Sequence, residues 1–167
     1  MSEIKIRTFD DIAEGMSGEF SKTLGDDDVR TFADVSGDHN PIHIDEGYAK
    51  TTIFGGRIAH GMHTASIISA ALGSVFPGPG WVYIEQNLKF KAPVPVGSEV
   101  TAIVVATKLI PEKGFVEFST TCRVNGKVVL DGMATLMAPR ARPSARSTAP
   151  SHRSRATSSA PSPSSKR

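Results

Sequence analysis

Cysteine is almost absent from this 167-residue chain, in which Cys122 is the only one. A single thiol cannot form an intrachain disulfide, which excludes the disulfide-stabilised secreted domains and favours a reducing compartment. The chain also has no apolar run near the ~18 residues that a membrane span needs. Its first residues show no basic segment followed by an apolar one, as a signal peptide would. We therefore expect a cytoplasmic protein with no membrane span, in which Cys122 is a small, inert side chain on a strand.

Acidic residues are absent from residues 140–167, although seven of the 19 Lys and Arg residues lie there. Residues 1–139 hold the other 12 Lys and Arg against 17 Asp and Glu, a formal charge of −5. Residues 140–167 also have no Val, Ile, Leu or aromatic side chain, so they cannot bury enough apolar surface to offset the entropy lost on ordering. We predict one domain over residues 1–139, a disordered basic tail of Ser, Ala, Pro and Arg over residues 140–167, and no nucleic-acid partner.

The periodicity of the apolar residues changes near residue 80. Residues 61–75 are small and apolar on most faces, which predicts a long buried helix that the Pro and Gly residues of 77–80 end. Beyond them, apolar residues alternate with polar ones, and Asn125-Gly126 is a strong hairpin signal between two such stretches. The predicted strands are residues 18–23, 81–91, 99–109, 115–124 and 127–137, and the predicted shorter helices are residues 29–35, with Phe32 and Val35 inward, and residues 46–50. This pattern predicts an α+β domain.

Residues 36–43, Ser-Gly-Asp-His-Asn-Pro-Ile-His, are the part of the sequence that points most clearly to chemistry. They place Asp38 and His43 on either side of a turn, because Gly37 and the Asn40-Pro41 pair interrupt helical backbone. A carboxylate can accept a proton from water and an imidazole can take or give one near neutral pH, so the pair could activate a water. The same composition is also that of an ordinary Asx turn, in which Asp and Asn bond their own backbone. Spacing alone leaves both interpretations open.

A longer pattern surrounds this pair. It reads Phe32-Ala33-x-x-Ser36-Gly37-Asp38-x-Asn40-Pro41-Ile42-His43-x5-Ala49. This pattern resembles the signature of the R-specific enoyl-CoA hydratases, in the MaoC-like branch of the hot-dog superfamily. The resemblance implies a single hot-dog fold, in which a curved antiparallel sheet wraps around one long central helix. It also implies a cofactor-free enzyme that reversibly hydrates a trans-2-enoyl-CoA to the (3R)-3-hydroxyacyl-CoA.

By this resemblance Asp38 and His43 are the catalytic pair, which holds one water and adds its proton and its oxygen to the same face of the substrate. Asn40 matches a loop asparagine of the family and has either a positioning role or a plain turn role. The charge that develops on the thioester oxygen is expected to meet backbone N–H groups at Gly61, because the start of a helix favours an anion. The alternative is that Gly61 only starts the helix.

The acyl pocket is expected along one stripe of the central helix, formed by Ala65, Ser69 and Leu72. If Leu72 lies near the pocket floor, short acyl chains of about four to six carbons should be preferred, since an overlong chain would be strained. The alternative is that Leu72 packs in the core.

Two further groups of side chains could bind a ligand. Arg57, close to the loop, is a candidate for a phosphate of CoA. His60 and His63 could share one face of a helix, but no HExxH pattern and no Cys accompany them. We therefore expect no metal site.

Other functions stay open at this point. A (3R)-hydroxyacyl-[acyl-carrier-protein] dehydratase of fatty-acid synthesis would use the same catalytic pair. A non-catalytic hot-dog module that binds acyl thioesters would be expected to lack Asp38 or His43, and both are present. A thioesterase is disfavoured because the signature is that of the hydratase branch. One hot-dog sheet leaves an apolar edge and face to cover, so a homodimer is expected, and both polyhydroxyalkanoate precursor supply and fatty-acid metabolism fit as pathways.

Overall fold

The computed structural model of the protein describes residues 6–139. The strands are β1 (Ser17–Thr23), β2 (Val82–Phe90), β3 (Glu99–Ile110), β4 (Phe115–Val124) and β5 (Lys127–Met137), and the helices are α1 (Asp26–Ser36), α2 (Pro41–Ile44), α3 (Glu46–Lys50) and α4 (Gly61–Ala70). All strand pairs are antiparallel, in the order β1-β3-β4-β5-β2. The predicted tail at residues 140–167 lies outside the described residues.

Helix α4 lies against the sheet and contacts β1, β3 and β4. A wider, π-helical turn, Ala71–Val75, continues it, so the helical segment covers residues 61–75 as predicted. Its Ile68 and Leu72 are almost fully buried in a core cluster with Val104 and Phe118 of the sheet. Removing this apolar surface from water stabilises the fold, and the arrangement confirms the expected hot-dog architecture of a sheet packed around one central helix.

The hairpin between β4 and β5 forms at the predicted residues. Asn125 and Gly126 both have positive φ, 49° and 77°, which is the backbone that a two-residue type I′ hairpin requires. All five predicted strands form. In β3 and β4 the buried residues alternate with more exposed ones, as expected for half-buried strands.

Strand β2 is held close to β5 at one point. A Cβ atom at Gly132 would clash with the carbonyl oxygen of Asn87, so only glycine allows this separation. The Asn87 side chain accepts a hydrogen bond from the N–H of Met133 at 3.1 Å. This contact fixes the strand whose last residue, Phe90, reaches the candidate site.

Two expectations from the sequence are wrong in detail. Val35 is 82% exposed, and the residues that α1 buries are Val29 and Ala33. Those two are four residues apart on one face, whereas Val35 lies two residues beyond Ala33 on the opposite side. The central helix is buried on one side only, since Met62, Ser66 and Ser69 are exposed. No helix within residues 6–139 has the length and apolar character needed to cross a membrane.

Candidate active site

The loop after α1 is built from turn chemistry. Helix α1 ends where Gly37 takes up left-handed backbone with φ of 79°, a conformation that costs glycine little. The Asn40 N–H then donates to Asp38 Oδ1 at 3.2 Å, and the Ile42 N–H donates to Asn40 Oδ1 at 3.3 Å. Asn40 thereby caps α2. The Asx-turn interpretation is therefore correct, and this turn is what places His43, on α2, opposite Asp38.

One hydrogen bond orients His43, which is 7% exposed: its Nδ1 lies 2.8 Å from the carbonyl oxygen of Ile58. A carbonyl oxygen only accepts, so Nδ1 carries the proton of the neutral ring and Nε2 is left as an acceptor. Asp38 is exposed, and one of its carboxylate oxygens lies within 4.8 Å of a ring nitrogen of His43. That separation allows one water to hydrogen-bond to both groups.

A third side chain, His60, joins this pair. Its Nε2 donates to the backbone carbonyl of Asp38 at 2.9 Å, and its ring centroid lies 3.8 Å from that of His43. The sequence suggests only that His60 and His63 could share one face of a helix. In the structure His63 instead stacks on Phe32. The signal that could have identified His60 is its position directly before Gly61, at the helix start expected to bind an anion.

Asp38, His43 and His60 are also the group within residues 6–139 that could hold a metal ion, because one ligand atom from each lies within 4.8 Å of the others. Each ring already gives one nitrogen to a backbone carbonyl, so a metal would have to take the remaining nitrogen of each. The hydrogen bonds alone account for the orientation of both rings. The absence of a metal stays a prediction.

Burial of the His43 ring lowers its pKa below the usual value of 6.5. The bond to the Ile58 carbonyl raises this pKa, the neighbouring His60 lowers it, and the Asp38 carboxylate raises it, but burial outweighs the increases. A lowered pKa keeps His43 neutral at pH 7, as a proton acceptor must be.

A cavity of about 410 Å³ contains His43 and Gly61 among its lining residues, which is within the usual size range for small-molecule sites. The rest of the lining is mostly apolar and includes Phe54 and Phe90. The residue before α4, His60, makes no side-chain hydrogen bond to the first turn of the helix. The first N–H groups of α4 are thus left for an acceptor in the cavity.

Gly61 also leaves room for the side chain of Phe90. A Cβ atom at this position would lie 2.8 Å from Cε1 of Phe90. The ring of Phe90 therefore packs over the helix start only because no side chain intervenes. Both interpretations of Gly61 agree with the structure: it starts the helix, and it leaves the first turn accessible.

The expected acyl-pocket residues separate into two groups. Ala65 and Ser69 line a groove of about 320 Å³ between α4 and β2, together with Met62 and Leu88. Leu72 is fully buried in the core and is not among the residues that line this groove. The reason is helical geometry, because Leu72 continues the buried row that contains Ile68, one turn before it. The structure thus favours the core role for Leu72 that the sequence left open.

Arg57 is directed into the protein. Its guanidinium forms ion pairs with Asp26 of α1 and with Glu46 of α3, and its side chain is 15% exposed. These partners connect the site loop to two helices, so Arg57 has a structural role. The role of Arg57 in binding CoA stays a prediction. A different cation, Lys91, lines the cavity that contains His43 and is paired with Asp131 at 3.2 Å.

Cys122 lies on β4 and is fully buried. Burial raises the pKa of its thiol to about 12, so the thiolate that would be needed for nucleophilic chemistry does not form near neutral pH. The expectation of an inert cysteine agrees with this environment.

Comparison with known proteins agrees with this geometry. The family model of the MaoC like domain matches residues 9–128. The chain is 53% identical over 137 residues to the (R)-specific enoyl-CoA hydratase of Rhodospirillum rubrum, covering 82% of this chain and 95% of that protein. It is 44% identical over 140 residues to the 3-hydroxybutyryl-CoA dehydratase of Methylorubrum extorquens, covering 84% of this chain and 89% of that protein.

A solved structure and a more distant relative extend the comparison. The unliganded R-hydratase of Pseudomonas aeruginosa superposes with a TM-score of 0.76 at 39% identity, covering 80% of this chain and 86% of that one. A mitochondrial 3-hydroxyacyl-[acyl-carrier-protein] dehydratase of Arabidopsis thaliana is 36% identical over 123 residues, covering 71% of this chain and 73% of that protein.

Proposed function

The chain belongs to the MaoC-like domain family, and from that premise we propose that it is a hydro-lyase that reversibly hydrates trans-2-enoyl-CoA to (3R)-3-hydroxyacyl-CoA. The observation that carries the proposal is that a carboxylate oxygen of Asp38 lies within 4.8 Å of a ring nitrogen of His43. His43 also lines the cavity into which the start of α4 opens. The similarity to two enzymes of CoA thioesters supports CoA as the carrier.

The reaction uses one water, held between the Asp38 carboxylate and Nε2 of His43. Nε2 accepts a proton from this water while the water oxygen bonds to C3 of the substrate. The π electrons of the C2–C3 bond then form an enolate, whose oxygen is stabilised by the first N–H groups of α4 at Gly61. His43 finally gives its proton to C2, which restores the neutral ring and the thioester. Since one water on one side of the substrate supplies both parts, H and OH add to the same face.

The test is the hydration of crotonyl-CoA, with chiral analysis of the product. We expect His43→Gln to lower kcat by at least ~100-fold, because a general acid–base group contributes about that much. Asp38→Asn should lower kcat by a similar factor, because the carboxylate holds the water in position for attack. The double variant should lose far less than the product of the two effects, since both groups act on one water. His39→Gln is the matched control, because His39 lies in the same turn but is exposed, with its Nε2 3.8 Å from Asp34 Oδ1. Near-normal kcat in either dyad variant would contradict the proposal.

A dehydratase of acyl-carrier-protein thioesters is the second candidate, and the similarity to the Arabidopsis thaliana enzyme supports it. The chemistry at the thioester is the same for both carriers, so the dyad does not distinguish them. The ratio of kcat/KM for crotonyl-CoA to that for the crotonyl carrier-protein thioester does. Binding of crotonyl-CoA without any turnover would indicate a non-catalytic module.

We further infer that the protein is a cytoplasmic homodimer. Strand β2 is one edge of the sheet, and its Val82, Ile84 and Phe90 are about half exposed. An apolar free edge is a surface that folded proteins usually cover. The other edge strand, β1, carries Glu19 and Lys22 and does not need such cover. A lone cysteine supports a reducing compartment.

A further inference from the structure

His60 is connected to every part of the site. Its Nε2–H holds the Asp38 carbonyl at 2.9 Å, across 22 residues of sequence. Its ring lies against His43, with centroids 3.8 Å apart and planes tilted by 32°. It is also the residue directly before α4, so its backbone leads into Gly61. One side chain therefore links the carboxylate loop, the imidazole and the helix start.

The burial of this side chain has a cost that packing alone does not explain. His60 is 2% exposed, and its Nδ1 is buried without a hydrogen-bond partner among residues 6–139. A buried polar atom without a partner is unfavourable, and an apolar ring of similar size would avoid that cost. Such a ring could not donate a hydrogen bond to Asp38. The polar ring is thus explained by the bond that it makes to the catalytic loop.

We propose that His60 is a positioning residue of this active site, which sets the placement of Asp38 relative to His43 through its bond to the Asp38 carbonyl and its contact with the His43 ring. The proposal rests on the hydratase function proposed above. His60 transfers no proton in it. Its bond holds the Asp38 backbone, while its ring covers one face of the imidazole that accepts the proton.

The contact with His60 also affects the charge of His43. The titratable groups that face His43 are His60, which lowers its pKa, and Asp38, which raises it. Removal of the His60 ring should raise the pKa of His43, because water then reaches a ring that burial had kept neutral. His60→Phe should raise this pKa less, because it removes the charge effect of His60 but keeps a ring that excludes water from His43.

Two substitutions separate these effects. His60→Phe keeps a ring beside His43 but removes the donor to Asp38, whereas His60→Gln keeps an N–H donor but removes the ring. His63→Gln is the matched control, since His63 is an equally buried histidine of α4 that stacks on Phe32. The measurements are kcat and KM for crotonyl-CoA between pH 5 and 9, the melting temperature, and the pKa of His43 by NMR in the resting protein.

We expect His60→Phe to lower kcat about 10- to 100-fold with KM little changed, since a misplacement of about 1 Å can cost that much. His60→Gln should retain more of kcat than His60→Phe. It should also raise the pKa of His43, which shifts the acidic limb of the kcat/KM profile to higher pH. His63→Gln should change neither kcat nor the pKa of His43. Equal kcat in wild type and His60→Phe, or an unchanged His43 pKa in His60→Gln, would overturn the proposal.

The outcomes distinguish this inference from the proposed function. If the wild type does not hydrate crotonyl-CoA, the proposed function fails, and the NMR titration of His43 still tests the contact without substrate. If the wild type is active and both His60 variants lose only melting temperature, His60 is structural and the inference alone fails. If His60→Phe does not fold, kcat and the His43 pKa of His60→Gln, compared with those of His63→Gln, decide whether His60 is a positioning residue.

Discussion

At the scale of single residues, the missing side chain at position 61 is the feature that stands beside the proposed catalytic pair, Asp38 and His43. Gly61 begins α4 and lines the same cavity as His43. A methyl group there would meet the ring of Phe90 at 2.8 Å. Because Phe90 is 55% exposed, its ring can rotate away, so the fold should tolerate alanine better than the site does.

Gly61→Ala should therefore lower kcat for crotonyl-CoA by about 10- to 100-fold, since the methyl group and the displaced ring crowd the N–H groups that stabilise the enolate. The melting temperature should change little. Gly73→Ala is the control, because a Cβ atom there has no neighbour within 4 Å. It should keep full activity and gain about 0.5–1 kcal/mol in the free energy of unfolding. Full activity of Gly61→Ala would show that the oxyanion is bound elsewhere.

At the scale of elements, two rows of side chains on α4 lie in different environments. One row, with Ile68 and Leu72, packs into the core, and the next row, with Ala65 and Ser69, lines an open groove. One helix thus contributes residues both to the core and to the groove where the sequence predicts the acyl pocket. Substitutions on the two rows should have different effects.

Ser69→Leu should shorten the accepted acyl chain. A larger side chain in the groove blocks methylenes that would each contribute ~0.8 kcal/mol on burial. Leu72→Ala should instead lower the free energy of unfolding by about 2–5 kcal/mol and leave the chain-length profile unchanged. The measurements are kcat/KM for four-, six- and eight-carbon enoyl-CoAs and urea denaturation. A chain-length profile that shifts toward longer substrates in Leu72→Ala would indicate that Leu72 lies at the floor of the acyl pocket after all.

At the scale of the whole molecule, the two edges of the sheet differ. Strand β2 presents Val82 and Ile84 to solvent, while β1 presents mostly polar residues. An exposed apolar edge favours pairing with another chain, and in the proposed homodimer this chain is a second copy.

Ile84→Lys should shift the protein from dimer to monomer, because a buried unpaired charge is costly at an interface. Val35→Lys is the matched control: Val35 is also exposed but belongs to α1 and not to the edge strand. Light scattering coupled to gel filtration measures the masses. A dimer that persists in Ile84→Lys would place the interface on another surface.

Much of this protein follows from interactions between near neighbours in the sequence. The turn from Gly37 to Ile42 and the hairpin at Asn125-Gly126 depend on backbone preferences of a few residues. The helix at residues 61–75 and the strands depend on periodicities that are also local. For these reasons the fold class and the opposition of Asp38 and His43 could be predicted from the sequence.

Tertiary structure decided the contacts between distant segments. His60 reaches Asp38 across 22 residues, Arg57 is drawn to Asp26, and Leu72 faces the core rather than the groove. Periodicity shows that a helix has a buried side, but the angle at which α4 packs on the sheet determines which row that is. The surroundings of the proposed catalytic pair likewise depend on how α2 and the start of α4 pack against each other. No short stretch of sequence specifies this non-local arrangement.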